Sequence, residues 1–148
     1  MNGWGTTTVG KLVPYYRELA ETGSNFQGLS ILPHARIIQK LLYKTKSVTL
    51  LDYGCGKGEQ WNKPHCLGSV LGVPKATLYD PAFATHDVLR EGTFDGVLCS
   101  DVVEHVPEEE LDELISTLFR YADKFVWASV CCRPAKKILP NGENMHVT

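Results

Sequence analysis

Charge of one sign is scarce in this chain: 15 Lys and Arg stand against 17 Asp and Glu, a net of −2 over 148 residues. A protein that grips nucleic acid without regard to sequence needs a basic face. This balance supplies none, which excludes that class and leaves a specific nucleic-acid reader open. Long apolar runs are missing as well. None approaches the ~20 residues a membrane span requires, and Met1–Gly10 has neither the basic run nor the apolar core of a secretory leader. The five cysteines (Cys55, Cys66, Cys99, Cys131, Cys132) contain no C-x-x-C and no secreted-type framework, so the expected setting is reduced and cytoplasmic. Cys99 and Cys131 read as small hydrophobes buried in strands. His65-Cys66 has no partner set at zinc spacing, so no metal site is expected. Repeats and low-complexity tracts are absent.

What the chain does have is Leu50-Leu51-Asp52-Tyr53-Gly54-Cys55-Gly56-Lys57-Gly58, an apolar strand running into alternating glycines. Such a loop turns sharply and lets backbone N–H groups approach a polar ligand at the carboxyl end of a parallel strand. The dinucleotide fingerprint G-x-G-x-x-G fails at its sixth position, which is Glu59, and Lys57-Gly58-Glu59 does not complete a phosphate-binding P-loop. Asp52, two residues before the first glycine, suits a ligand with a positive near end and would repel a pyrophosphate.

Two further segments follow in order. Ala76–Tyr79 has strand character and ends at Asp80-Pro81. Its distance from Gly54 fits a crossover over Glu59–Val73 of the length a right-handed βαβ unit needs. An acid closing that strand can accept both hydroxyls of a ribose. Phe94–Cys99 reads as a buried strand with Ser100 and Asp101 at its carboxyl end. Val102-Val103-Glu104-His105-Val106 leads to Pro107, placed to open a helix whose first turn carries Glu108, Glu109 and Glu110.

The glycine loop with Asp52, the acid Asp80, and the stretch Phe94-Asp95-Gly96-Val97 with Asp101-Val102-Val103-Glu104-His105 together resemble the motifs of class I S-adenosylmethionine-dependent methyltransferases, in the family's order across residues 47–131. The resemblance implies S-adenosylmethionine as cofactor and S-adenosylhomocysteine as product. It implies cofactor contacts from Asp52, Gly54, Cys55, Gly56 and Gly58 at the methionine part, from Asp80 and Pro81 at the ribose, and from Ser100 and Asp101 beside the methionine end. His105 could serve as a general base or pack above the acceptor, or it could make only a local hydrogen bond at the helix entry. His146 resembles a histidine that some small members place near the acceptor after the fifth strand; as a tail residue it could equally belong to a loose end.

Along the chain, 1–45 reads as an N-terminal helical flank and lid, 46–133 as a nucleotide-binding core and 134–148 as a tail, all one domain. Met1–Thr8 reads as a loose end. Val9–Glu21 has helical spacing and stops at Thr22-Gly23, and Ser30 is placed to cap a helix through about Tyr43. Thr22–Leu29 and the first helix would form a lid, with Tyr15, Tyr16 and Phe26 as lid residues. Strands are expected at Ser47–Leu51, Ala76–Tyr79, Phe94–Cys99 and Lys124–Cys131, and a helix at Glu108–Tyr121. Helix is short or irregular over Trp61–Gly72, and a loop or a turn of helix fills 84–93, where the family places its third strand.

The expected fold class is therefore α/β, a Rossmann-like, mostly parallel sheet in the order 2-1-4-5 of the family's strand numbering. Helices cover both faces, and the sheet is truncated relative to the seven-stranded methyltransferase fold. Strand Phe125–Cys131 would then have an open edge, which soluble proteins avoid. The tail could cover it, a second copy could pair with it in a homodimer, or the chain could be a truncation. The expected function is methyl transfer to an acceptor that the motifs leave open, a small molecule being favoured. The alternatives are a module that binds the cofactor without transferring its methyl, and an enzyme that cleaves it.

Overall fold

A computed structural model describes residues 10–23 and 25–148. The expectations for Met1–Thr8, for Val9 and for Ser24 lie outside the described residues.

Four parallel strands, β1 (Leu50–Tyr53), β2 (Thr77–Tyr79), β3 (Phe94–Ser100) and β4 (Ala122–Ser129), lie in the order β2-β1-β3-β4. This is the expected 2-1-4-5, with the missing 3 falling on turns and extended chain between β2 and β3. Register is set by Leu51 opposite Thr77 on one side and Val97 on the other, and by Leu98 opposite Trp127. The two central strands are buried on both faces, which is why Leu50–Tyr53 and Val97–Cys99 are almost unbroken apolar runs. Gly96 faces Phe125 across the β3–β4 pair, and a Cβ there would come within 2.2 Å of the Phe125 ring. The glycine thus lets the aromatic lie flat on the sheet.

Helices α1 (Val13–Glu21), α2 (Ala35–Thr45), α3 (Leu67–Leu71) and α4 (Leu111–Tyr121) complete the layers. On one face, Ile38 and Leu42 of α2 and Leu67 and Leu71 of α3 meet Leu50 and Leu98, with Trp61 filling the space between. On the other face, Leu114, Leu118 and Tyr121 of α4 cover Leu51, Val97 and Cys99. At ~25 cal/mol per Å² of apolar surface, such burial is what holds these short elements in place.

A third, smaller cluster joins Leu12 just before α1 to Leu139 and Met145 of the tail. The tail therefore returns over the carboxyl ends of the strands. Among the described residues no strand pairs the outer side of β4, and no helix is long and apolar enough to cross a membrane.

Several local expectations need correction. Strand β1 starts at Leu50 and runs through Asp52 and Tyr53, past the expected end at Leu51. Strand β4 ends at Ser129, so Cys131 lies in the following loop, half-buried. Ser30 caps nothing: its hydroxyl donates to the Ser100 carbonyl at 3.4 Å, and a turn of 3-10 helix at Leu32–His34 precedes α2. Helix α1 stops through the Thr22 hydroxyl, which donates to the carbonyls of Glu18 and Leu19, and Gly23 does not enter the left-handed region. Pro107 sits just before a 3-10 turn, Glu108–Glu110, that leads into α4.

Candidate functional site

Strands β1, β2 and β3 all deliver their carboxyl ends to one side of the sheet, and there a cavity of about 290 Å³ opens. Its floor is Gly54, Gly56, Asp80, Pro81, Ser100 and Asp101. Leu12 closes it from just before α1, Val13 and Tyr16 from α1, Phe26 and Gly28 from the loop that follows, and Val102 and His105 from the segment after β3. This is the place where ligands bind in open parallel sheets, although the volume lies at the low end for small-molecule sites.

Six of the expected cofactor residues therefore come together: Gly54, Gly56, Asp80, Pro81, Ser100 and Asp101. Asp52, Cys55 and Gly58 do not line the cavity. Asp52 turns into the core. Its Oδ2 accepts the indole N–H of Trp61 at 2.6 Å and the amide of Gln60 at 3.1 Å. Burial pushes its carboxyl up to about 6, against the pull of those two donors. Cys55 is buried, and burial raises its thiol well above the usual range. A Cβ on Gly58 would come within 2.7 Å of Leu78, so that glycine serves packing against β2.

The glycine loop also differs from expectation in what its N–H groups do. Gly54 and Cys55 donate to the Tyr79 carbonyl, Lys57 to Phe26, Gly58 to Cys55, Glu59 to Gln27 and Gln60 to Gly28. Gly56 donates to Asp80 Oδ2 at 2.8 Å. Every N–H from 54 to 60 is thus held inside the protein, and none is left to meet a ligand. The glycines instead admit another piece of backbone. A Cβ on Gly28 would stand 2.1 Å from the Cys55 carbonyl oxygen, and one on Gly56 would stand 2.4 Å from that of Phe26. The expected lid loop is thus docked on the glycine loop, with Phe26 held at a φ of 58°.

Asp80 is the best-placed polar group. Its Oδ2 meets Gly56 and its Oδ1 accepts the Ala82 N–H at 2.9 Å, so the carboxyl is fixed in orientation at the end of β2. Burial raises its pKa, while those two N–H donors and the nearby His86 and His105 oppose the rise. At the end of β3, the Ser100 and Ser129 hydroxyls share a hydrogen bond at 2.8 Å, and Asp101 accepts from Ser129 at 2.8 Å. Asp101, which lines the cavity, adopts a φ of 53°, a left-handed backbone that residues other than glycine rarely enter.

Helix α1 is fastened across the opening just before its start and at its middle. Glu110, buried at the start of α4, accepts the backbone N–H groups of Gly10 at 2.7 Å and Lys11 at 3.2 Å. Arg17 donates to the Pro81 carbonyl at 2.8 Å and lies 3.4 Å from Asp87. Tyr16 and Phe26 meet edge to face at 5.8 Å between ring centres. Of the expected lid aromatics, Tyr16 and Phe26 line the cavity and Tyr15 packs with the tail cluster.

The two candidate catalytic histidines are neighbours. The His105 and His146 rings lie 4.8 Å apart in a T-shaped arrangement, so the tail residue is not a loose end. His105 Nδ1 meets the Met145 carbonyl at 2.9 Å and the Tyr16 hydroxyl at 3.1 Å, while Tyr16 donates to the same carbonyl at 2.9 Å. His146 Nδ1 contacts the Arg133 carbonyl. A carbonyl only accepts, so both Nδ1 atoms carry protons and each neutral ring keeps its lone pair on Nε2. Burial lowers the pKa of His105, which favours the neutral ring near pH 7.

Sequence reasoning missed three residues. Gly28 is the contact that seats the lid loop, Glu110 ties down α1, and Glu104, on the same 3-10 turn as His105, is wholly buried. The signal for Glu104 was present in the acid embedded in Val102-Val103-Glu104-His105-Val106.

A family model described as a methyltransferase domain matches residues 29–131, which spans all four strands and the cavity floor. No curated protein and no solved structure matches the chain.

Proposed function

The chain belongs to the methyltransferase-domain family, and from that premise we propose that it transfers a methyl group from S-adenosylmethionine to an acceptor seated in the same cavity. The observation that carries this reading is the Asp80 carboxyl, oriented by Gly56 and Ala82 at the end of β2 and lining the cavity. Its remaining lone pairs suit the two hydroxyls of a ribose. Gly54 and Gly56 leave space beside it for the methionine part, and Ser100 and Asp101 stand where that part would end. The saturated N–H groups of the glycine loop mean that recognition there rests on shape and carbonyl oxygens.

The cofactor's sulfonium supplies an electrophilic methyl, so the protein's work is alignment and exclusion of water. Helix α1 and the Phe26 loop cover the opening, and His105, in contact with His146, lines the cavity. We take the acceptor to be a small molecule.

Incubation with methyl-labelled S-adenosylmethionine and fractionated lysate tests transfer. The expected result is label in one fraction, abolished by Asp80→Ala. Label that appears only in a fragment of the cofactor would assign cleavage instead, and bound cofactor without any transfer would assign a binding module.

A further inference from the structure

Glu104 is 0% exposed, yet among the described residues only one of its carboxyl oxygens has a partner. Oε1 accepts the Cys131 N–H at 2.9 Å, while Oε2 has no hydrogen-bond partner among them. No lysine or arginine nitrogen pairs with it among the described residues. An ionised carboxylate buried on one N–H alone is costly, and a proton on Oε2 would leave a buried hydroxyl unpaired instead. A cation beside this oxygen would offset that cost.

His105 and His146 stand close to this carboxyl. One ligand atom from each, with one from Glu104, lie within 4.8 Å of one another. Both imidazoles are already oriented as metal ligands are: each Nδ1–H is fixed on a backbone carbonyl, Met145 for one and Arg133 for the other. That outer hydrogen bond selects the tautomer with a lone pair on Nε2 and raises its basicity. His105 also lines the cavity, and His146 lines a second depression beside the tail, so the cluster is reachable from outside.

We propose that Glu104, His105 and His146 form a binding site for a divalent transition cation beside the cavity. Two imidazoles and one carboxylate make a three-ligand set with open positions, the composition of open zinc and ferrous sites. Nitrogen donors select zinc, cobalt or iron over magnesium and calcium, which prefer oxygen. The site is assembled from two segments about forty residues apart in the chain. The tail reaches it because the Val147 N–H donates to the Glu104 carbonyl at 2.8 Å and Met145 is buried against Leu12. This inference stands on the cluster itself and does not depend on which cofactor fills the cavity.

Cobalt(II) titration of the full chain under reducing conditions, read by visible absorption, tests it. One ion per chain is expected, with ligand-field bands and no sulfur-to-cobalt charge transfer, and excess magnesium should not displace it. His146→Ala and Glu104→Gln should each weaken binding on the order of tenfold or more. The glutamine keeps an oxygen for the Cys131 N–H, and His146 is only half-buried, so at least one variant retains the fold. Zinc should raise the melting temperature of the wild type and not that of the variants. No saturable binding, equal affinity in folded His146→Ala, or a sulfur charge-transfer band assigning the ion to cysteines would each overturn the proposal.

Discussion

The indole N–H of Trp61 reaches Asp52 Oδ2 across 2.6 Å, binding the end of β1 to the turn that follows the glycine loop. This carboxyl is buried, and its pKa stands near 6, above the ordinary 3.8. The folded protein therefore holds the Asp52 proton more tightly than the unfolded chain does. Its contribution to stability is full below pH 3.8, falls as pH rises towards 6, and is flat above that. From 3.8 to about 6 the rise corresponds to about 3 kcal/mol. Asp52→Asn, which keeps an oxygen for Trp61, should remove this decline. Urea unfolding between pH 4 and 7.5 checks it, and parallel curves for the two proteins would show that Asp52 does not titrate as described.

Gly28, Gly56 and Gly72 all have positive φ, but only the first two have backbone where a Cβ would stand. Gly28→Ala and Gly56→Ala should cost roughly 1–3 kcal/mol from the clash, beyond the roughly 1–2 kcal/mol of left-handed strain that Gly72→Ala also bears. Chemical denaturation of the three variants measures the difference. Equal losses would mean that the Phe26–Gly28 loop is not docked on the glycine loop.

Tyr16 joins α1 to both His105 and the Met145 carbonyl through one hydroxyl. Tyr16→Phe should lower stability by about 0.5–1.5 kcal/mol and speed tryptic cleavage at Lys136 and Lys137 by loosening the tail. An unchanged cleavage rate would show that the apolar contacts of Leu139 and Met145 hold the tail alone.

Among the described residues strand β4 pairs on one side only, and the tail packs through Leu139 and Met145 against Leu12. We expect a homodimer through β4, because a two-fold contact covers the edge in both copies. Light scattering over a dilution series checks it, and a monomer at every concentration would contradict it.

How much of this was legible in the sequence depended on chain distance. Strand positions followed from local patterns, apolar runs ending in Asp52, Asp80 and Ser100 with segments between them long enough for crossovers, while their order came with the family resemblance. Asp80 could be placed because a strand end needs no distant partner to face the ligand side. Asp52 was misread, since its donors, Gln60 and Trp61, become partners only when the 3-10 turn at Glu59–Trp61 folds back over β1. The N–H groups of the glycine loop were assigned to a ligand for the same reason. Their acceptors at Phe26, Gln27 and Gly28 lie some thirty residues earlier, and nothing in either segment announces the pairing. His146 was legible as a candidate and Glu104 as an acid set among apolar residues, but the burial of Glu104 was not, because it depends on the tail's return.

The account rests on Asp80 as the ribose-binding carboxylate of an S-adenosylmethionine site. Isothermal titration of the wild type and Asp80→Ala with S-adenosylmethionine, S-adenosylhomocysteine and NAD tests it most directly. The account predicts that both sulfur compounds bind the wild type and NAD does not. It predicts that Asp80→Ala, still folded, loses roughly 1.5–3 kcal/mol of affinity for each charged hydrogen bond removed. No heat from either sulfur compound at millimolar concentration, or equal affinity in the two proteins, would contradict it.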